Sequence, residues 1–279
     1  MLGKLMKYDM KSMSRAFIPM WILAPVISLL LSFSIRSAIG WTDNPILGPM
    51  MNAGTNILMI IMGLLFAAAI IGLLVMTIMF VIQRFWNGLL KEEGYLMFTL
   101  PVKVWELIVS KALTATLVAC ISIVVGVFSG MVLAVFSTSD IVYAFAYVWK
   151  NFLNNVIEVG PVFWINMLLF IIVLIMGTVS SIYHVYAAMS LGHLFATHKV
   201  VGSCVSYIGI SIVTSILGNI MTAILSYVVP DRFYYMSSYN MLEAMSSLYL
   251  LYMMLALAVE IIIFHVITER ILSKKLNLE

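Results

Sequence analysis

Six long apolar runs limit what this chain can fold into more than any other feature of its sequence. A transmembrane helix needs about 20 mostly apolar residues, and each run reaches about that length. Hydrophobic residues make up 63% of the chain and charged residues only 10%, too few charges to cover a core in water. The sequence therefore predicts an all-α, polytopic membrane protein with six transmembrane helices. The predicted spans are residues 17–35, 57–82, 108–136, 162–185, 200–229 and 246–267.

The basic residues favour one orientation of these spans. If the N-terminus is cytoplasmic, only Arg36, Lys150 and Arg232 of the fifteen Lys and Arg residues fall in outward loops. The remaining basic residues then lie on the inner side, as the positive-inside rule requires. The sequence thus predicts a multi-pass protein of the cell membrane, with both termini in the cytoplasm, a tail at 273–279 and no extracellular domain.

The N-terminal segment, residues 1–16, is predicted to form an amphipathic helix that precedes the transmembrane domain, residues 17–272. Basic side chains share one face of this helix and apolar side chains share the opposite face. We therefore expect it to lie flat on the inner leaflet as an elbow. The simpler alternative is a positively charged flank of the first span. Asp9 interrupts the apolar face and would need a partner from elsewhere in the chain. The cationic face is formed by Lys4, Lys7, Lys11 and Arg15.

The loop between the second and third spans combines charge with a dense apolar cluster. Glu92 and Glu93 favour a helix N-terminus, and Pro101 disfavours helical geometry in the residue before it. The loop therefore predicts a short cytoplasmic helix at about residues 91–100, too short and too charged to enter the bilayer. Its apolar side must then meet lipid headgroups or another protein. That side is formed by Tyr95, Leu96, Met97, Phe98 and Leu100.

The segment Glu93-x-x-x-Met97-Phe-Thr-Leu-Pro101-Val, followed by Glu106-Leu-Ile-Val-Ser-Lys111, resembles the permease subunits of ABC-2 type transporters, which have the type V exporter fold. The resemblance implies that the short helix is a coupling helix that docks on a separate ATPase subunit. The contact residues that it implies are Glu92, Glu93, Gly94, Tyr95, Leu96, Met97, Phe98 and Thr99.

The same resemblance implies a dimer, formed with a second copy or with a related permease, that recruits two ATPase subunits. These subunits would bind ATP and Mg, and the permease would move a hydrophobic or amphipathic cargo outward by alternating access. Peptides are the favoured cargo, with lipids or drugs as alternatives. The chain departs from larger family members because it has neither an extracellular domain nor a fused ATPase. The alternative is a stand-alone immunity or scaffolding protein that needs no ATPase.

Motifs for chemistry within this chain are missing from the sequence. It contains no Gly-x-x-x-x-Gly-Lys-Ser/Thr loop for nucleotide phosphates, no His-Glu-x-x-His zinc motif and no Gly-x-Ser-x-Gly turn. A Glu-Glu-x-x-x-Arg protease motif would need Arg where Met97 stands. We therefore expect a transport subunit rather than an enzyme, with no cofactor or metal of its own.

A stripe of weakly polar residues follows one side of the fifth predicted span. Its hydroxyl and amide groups fall within about 140° of arc on a helical wheel. Such a face either lines a route for cargo or packs closely against another helix, and the resemblance implies the first, because the fifth span lines the route in that family. Together with Gly218, this fifth-span stripe consists of Tyr207, Ser211, Thr214, Ser215, Asn219, Thr222 and Ser226.

Few ionisable residues lie inside the predicted spans, and Glu260 is the least expected of them. We place it about two turns from the cytoplasmic end of the sixth span. It is either a gate or cation site, or a carboxylate paired with His or Lys on another helix. Lys111, about one turn inside the third span, is expected to extend its amine to the interface.

Overall fold

The computed structural model describes residues 2–40, 48–90, 103–137, 161–195, 198–228 and 238–274, with residues 143, 146–147 and 149–150. Within these ranges the fold is all-α without a β-strand, as predicted. A five-residue π-helical turn, Trp86–Leu90, continues directly from the second helix. The six long helices are α1 (Leu2–Gly40), α2 (Gly48–Phe85), α3 (Val104–Phe136), α4 (Pro161–Gly192), α5 (Lys199–Val228) and α6 (Ser238–Lys274).

Each of the six helices is long and apolar enough to cross a membrane, which confirms the six predicted spans and a multi-pass membrane protein. Large apolar side chains are exposed along them, including Leu64 and Val124 at 66% each, and lipid is the solvent in which such exposure is cheap. The candidate spans are Met13–Ser37, Gly54–Leu90, Val104–Phe136, Phe163–Gly192, Lys199–Ile224 and Ser247–Ser273.

Several helices, α4 and α6 among them, run further than the spans predicted from the sequence. The predicted ends of the fourth and sixth spans are residues 185 and 267, whereas α4 continues to Gly192 and α6 to Lys274. Tyr186, Ala187 and Ala188 in the extension of α4 are buried by protein. Protein packing thus stabilises helical turns that mean hydropathy alone does not assign to a span.

The chain divides into two compact units, of which one consists of residues 4–80 and 117–159. Its core contains Met13, Phe17 and Val118, and Phe80 meets the Phe17 ring edge-on at 5.6 Å between ring centroids. The polar contacts of this unit converge on the Ser122 hydroxyl, which accepts a hydrogen bond from the Trp21 indole at 3.1 Å. This unit therefore has its own apolar core and its own buried polar contact.

Helix α1 joins the expected elbow to the first span without a break, although Pro19 and Pro25 lie inside it. The cationic side is exposed at Lys11 and Arg15, as the helical wheel predicts. Part of the apolar side is not available to headgroups, because Met13 and Phe17 are buried in the unit core. Asp9 on this helix is also buried, at 3% exposure.

The other unit contains residues 1–3, 81–116 and 160–279, and therefore most of α4, α5 and α6. Helix α4 packs against both α5 and α6. The end of α2 and the beginning of α3 belong to the same unit; the end of α2 contacts α4 through the Phe85 and Tyr186 rings. We call this region, residues 85–90, 104–116 and 182–192, the packed end.

Candidate functional site

The residues predicted to contact an ATPase, Glu92 to Thr99, lie outside the described residues. Their two flanks are described, and both are buried. Phe85 and Leu89 before the segment and Ile108 after it have 0% exposure. Glu106 lies in the first turn of α3, where its charge is favourable to the helix dipole, and the backbone N–H of Glu106 donates to the Lys103 carbonyl at 3.0 Å. The chain therefore enters and leaves residues 91–102 through fixed positions.

Aromatic stacking fixes the end of α2. The Phe85 ring stacks on Tyr186 of α4, with 4.1 Å between centroids and 20° between ring planes. Stacked aromatic pairs contribute about 0.5–1.5 kcal/mol beyond the area they bury. The first residue of the π-helical turn, Trp86, contacts the His193 ring at 5.5 Å between centroids. The turn is thus held by α4 and by the connection that follows α4.

Lys111 does not extend to the interface as expected, because the structure buries it at 1% exposure in the packed end. A Cβ added to Gly88 in the π-helical turn would lie 3.2 Å from the Lys111 Nζ atom. The absence of a side chain at Gly88 therefore leaves room for the amine. The sequence analysis missed this burial because a helical position one turn inside a span has no fixed direction until its neighbours are known.

The connection between α4 and α5 is unusually tight. A Cβ at Gly192 would overlap the backbone and side chain of Ser203 in α5, and a Cβ at Gly202 would lie 2.6 Å from the Phe195 ring. The backbone N–H of Gly202 donates to the His198 carbonyl at 2.8 Å and so begins α5. Two glycines therefore permit the close approach of these two helices.

His193 lies in this connection, just beyond the end of the fourth span. Its pKa is lowered because partial burial disfavours the charged imidazolium, and the neighbouring ammonium of Lys199 disfavours it further. The folded connection therefore favours the neutral form of His193.

The fifth-span stripe lies on α5, with the side chain of Ser226 outside the described residues. Ser211 and Thr214 are half-buried, whereas Ser215, Asn219 and Thr222 are exposed. Their hydroxyls bond to their own helix: Thr222 Oγ1 donates to the Gly218 carbonyl at 2.8 Å, a common arrangement for Ser and Thr in membrane helices. An open groove follows the helix surface along this face, lined by Tyr207, Ile208, Ser211, Ile212, Ser215, Ile216 and Asn219.

The two interpretations of the stripe differ in what should meet Gly218. A Cβ added there, or at Gly209, has no atom of the described chain within 4 Å. The part of the stripe around Gly218 therefore meets no other described helix, whereas Tyr207 and Ser211 at its beginning contact His184 of α4. Packing against a second copy and contact with cargo both remain compatible with this exposure.

Glu260 contacts α4, but through a hydroxyl rather than through the expected His or Lys. The Ser180 Oγ atom donates to Glu260 Oε2 at 2.9 Å, and Ser180 is buried whereas Glu260 is half-buried. The carboxylate makes no ion pair with any described residue. The expected pairing with an inner His or Lys was therefore wrong in the identity of the partner.

His184 connects this contact to the fifth-span stripe. It lies one helical turn after Ser180 in α4, with its ring 5.1 Å from the Phe264 ring of α6 and 4.7 Å from the Tyr207 ring of α5. The Ser211 Oγ atom is 3.3 Å from His184 Nε2. Glu260 and the stripe, which the sequence presents as separate features, are thereby neighbours of the same α4 segment.

Comparison with protein-family models, curated proteins and solved structures gives no match to this chain. The interpretation of its function therefore depends on its own residues. Among those that the structure describes, no three His, Cys, Asp or Glu side chains are grouped so that they could hold a metal ion.

Ser180 is the site residue that sequence reasoning missed. The available signal was its spacing: Ser180 and His184 are four residues apart in α4, as Glu260 and Phe264 are in α6, and side chains four apart share a helix face. Two matching pairs on two spans indicate facing surfaces only if the helices are known to be neighbours. The sequence did not provide that information.

Proposed function

We propose that this chain is the permease subunit of an ATP-driven exporter of the ABC-2 kind. It acts as a dimer, with a second copy or with a related permease, in the cell membrane with both termini cytoplasmic. Two separate ATPase subunits bind ATP and Mg and dock on residues 91–100. The cargo is hydrophobic or amphipathic, with peptides favoured, and it moves outward by alternating access.

The burial of both flanks of the docking segment carries this proposal. A coupling element must transmit a displacement to the spans, and it can do so only if its attachments do not yield. Leu89 and Leu90 precede the segment with at most 4% exposure, and Leu107 and Ile108 follow it with at most 1%. Close-packed interiors transmit strain because they have few voids to absorb it. A partner that moves residues 91–102 would thus move the buried ends of α2 and α3, and it would act on α4 through the stack of Phe85 on Tyr186.

The accessible face of α5 also supports transport. Hydroxyl groups that bond to their own helix offer weak contacts to a passing molecule without the penalty of an unpaired charge in hydrocarbon. Ser215 and Thr222 are exposed on this face. The stripe therefore provides a polar route that costs the membrane domain little.

The test is recovery of an ATPase with the solubilised chain. We expect the wild-type protein, purified from its native membrane, to carry an ATPase subunit and to hydrolyse Mg-ATP in lipid. Replacing both Met97 and Phe98 by Asp should remove that ATPase, because each apolar side chain buried in a partner contributes about 1.5–3 kcal/mol. A matched control replaces Asn44 and Asn151 by Asp in the predicted outward loops, and it should retain the ATPase.

Equal recovery of the ATPase with both variants would contradict docking at residues 91–100. Purification of the wild-type chain without any ATPase would contradict the permease proposal itself and favour the stand-alone alternative.

A further inference from the structure

Glu260 lies near the middle of the helical stretch that could form the sixth span. The sixth candidate span is Ser247–Ser273, and Glu260 is its central residue, roughly 20 Å from either end at about 1.5 Å per residue. The span predicted from the sequence, which finishes at residue 267, also contains Glu260. A carboxylate inside a membrane span is costly, and such residues are usually functional.

The Ser180 hydroxyl stabilises this carboxylate only in part. It donates one hydrogen bond, at 2.9 Å, to Oε2, but a neutral hydroxyl does not balance a negative charge. No cationic side chain among the described residues pairs with Glu260, and Oε1 has no hydrogen-bond donor there. The half-buried carboxylate therefore has one oxygen free for a donor that the described chain does not supply.

The surroundings of Glu260 suit one end of an amphipathic molecule. About one turn from the contact between Ser180 and Glu260, the His184 ring on α4 meets the Phe264 ring on α6, and the Tyr183 and His265 rings contact each other at 5.5 Å between centroids. His184 leads to Tyr207 and Ser211 of the stripe. Glu260 and the hydroxyls of α5 thus contact successive turns of α4 within one compact unit, Glu260 through Ser180 and the stripe through His184.

We propose that Glu260, oriented by Ser180, is the recognition site for a primary ammonium group on an amphipathic cargo. An ammonium neutralises the carboxylate and donates a charge-assisted hydrogen bond to Oε1. An ammonium needs only Oε1, the oxygen without a described donor, whereas a guanidinium binds best when it contacts both carboxylate oxygens. The assignment of this ammonium group to a cargo rests on the proposed transport function. Binding of the ammonium group to Glu260 does not require an ATPase.

Direct binding to the purified chain tests the site. The chain is placed in nanodiscs of phosphatidylcholine, whose surface is neutral, and titrated with a dansyl-labelled alkylamine that carries one free primary amine. The probe for comparison is the same molecule with that amine acetylated, and energy transfer from tryptophan reports binding. We expect the wild-type chain to bind the amine at least about tenfold more tightly than the acetylated form, a difference of about 1.4 kcal/mol.

The variant Glu260→Gln keeps the shape of the side chain and removes its charge. It should raise the Kd of the amine about tenfold or more and leave that of the acetylated probe unchanged. The matched control is Glu269→Gln, the same change nine residues along α6, where the side chain is 38% exposed beside His265; it should alter neither Kd. Glu260→Asp keeps the charge, so it should keep the preference for the amine.

Several results would overturn the site. One is a wild-type chain that binds both probes equally, which needs no variant to establish. Another is a Glu260→Gln chain that binds the amine as tightly as wild type, or an equal loss of both probes, which would indicate a structural role. These outcomes are distinct from failure of the proposed function: a chain that has no ATPase partner can still prefer the amine, and an ATPase-bound chain can lack that preference.

Discussion

The packed end and the part of α5 around Leu217 have similarly apolar sequences but opposite surroundings. Leu89, Ile108 and Tyr186 in the packed end are completely buried, whereas Leu217 in α5 is 56% exposed. In the packed end, apolar side chains meet one another; along α5 they are left for lipid, a second copy or cargo. Hydrophobicity therefore places both regions in the membrane. Only the packing shows which of them forms the buried core of the chain.

The largest expected effect comes from removing an aromatic ring at the packed end. Phe85→Ala deletes a fully buried side chain and its stack on Tyr186. We expect a loss near the lower end of the about 3–5 kcal/mol that such changes cost in soluble cores, because lipid replaces water as the alternative surroundings. At roughly 2–4 °C per kcal/mol, the Tm in detergent should fall by about 6–12 °C.

The control for this change is Leu217→Ala in α5, which removes a side chain that the described chain does not cover. Its Tm should stay within about 2 °C of wild type, as expected for substitutions outside packed cores. The Tm is measured by fluorescence-detected size exclusion after heating. A similar fall in the Tm of both variants would show that the two regions do not differ in packing.

A smaller effect is expected from adding one methyl group to the connection between α4 and α5. Gly192→Ala would overlap the backbone of Ser203, so the two helices must separate. We expect a loss of about 1–3 kcal/mol, the usual cost of overpacking, measured as a lower Tm.

The same substitution at Gly218 meets open space and gains helix propensity, so the Tm should be unchanged or slightly raised. A Tm lowered by Gly218→Ala, together with loss of cross-linked dimer, would assign the stripe to packing between two copies. That result would also sharpen the comparison, because the open part of α5 would then be an interface.

The smallest expected effect is a pH dependence of stability that arises in the connection between α4 and α5. The pKa of His193 in the folded protein is lowered by burial and by Lys199, so the native state binds fewer protons than the unfolded state. Stability is then fully present above the unfolded value of about 6.5 and is lost as the pH falls below it. Between pH 7.5 and 5.5 the Tm of the wild type should fall further than that of His193→Gln.

His198→Gln makes the same change at an exposed position in the connection and should keep the wild-type pH dependence. If His193→Gln loses as much stability as wild type on acidification, another group must be responsible.

The sequence predicts the number of spans well, because about 20 apolar residues in a row have few alternatives to a membrane helix. It does not predict the direction in which each side chain points around the helix. Lys111 was expected at the interface and is buried, and Met13 was expected against headgroups and packs in a core. Both errors concern rotation about a helix axis, which depends on neighbours that hydropathy does not identify.

The candidate site follows the same division. Glu260 and the fifth-span stripe are visible in the sequence because charges and runs of hydroxyls are rare in membrane helices. Their proximity through His184 is not visible, because it depends on α4 packing against both α5 and α6. The prediction also ended the sixth span at residue 267, seven residues before the end of α6, because the residues that follow are more polar.

The π-helical turn at Trp86–Leu90 changes the rotation of the following residues about the axis of α2. Each residue of an α-helix advances the chain by about 100°, and a π turn accommodates an additional residue without breaking the helix. Deleting one residue there would restore the regular pitch and rotate the chain that leaves α2 by about a quarter turn. The side chains after the deletion would point in different directions around the helix axis, and residue 91 would follow from a different side of the helix. One additional residue in the turn therefore sets the direction in which the chain leaves α2.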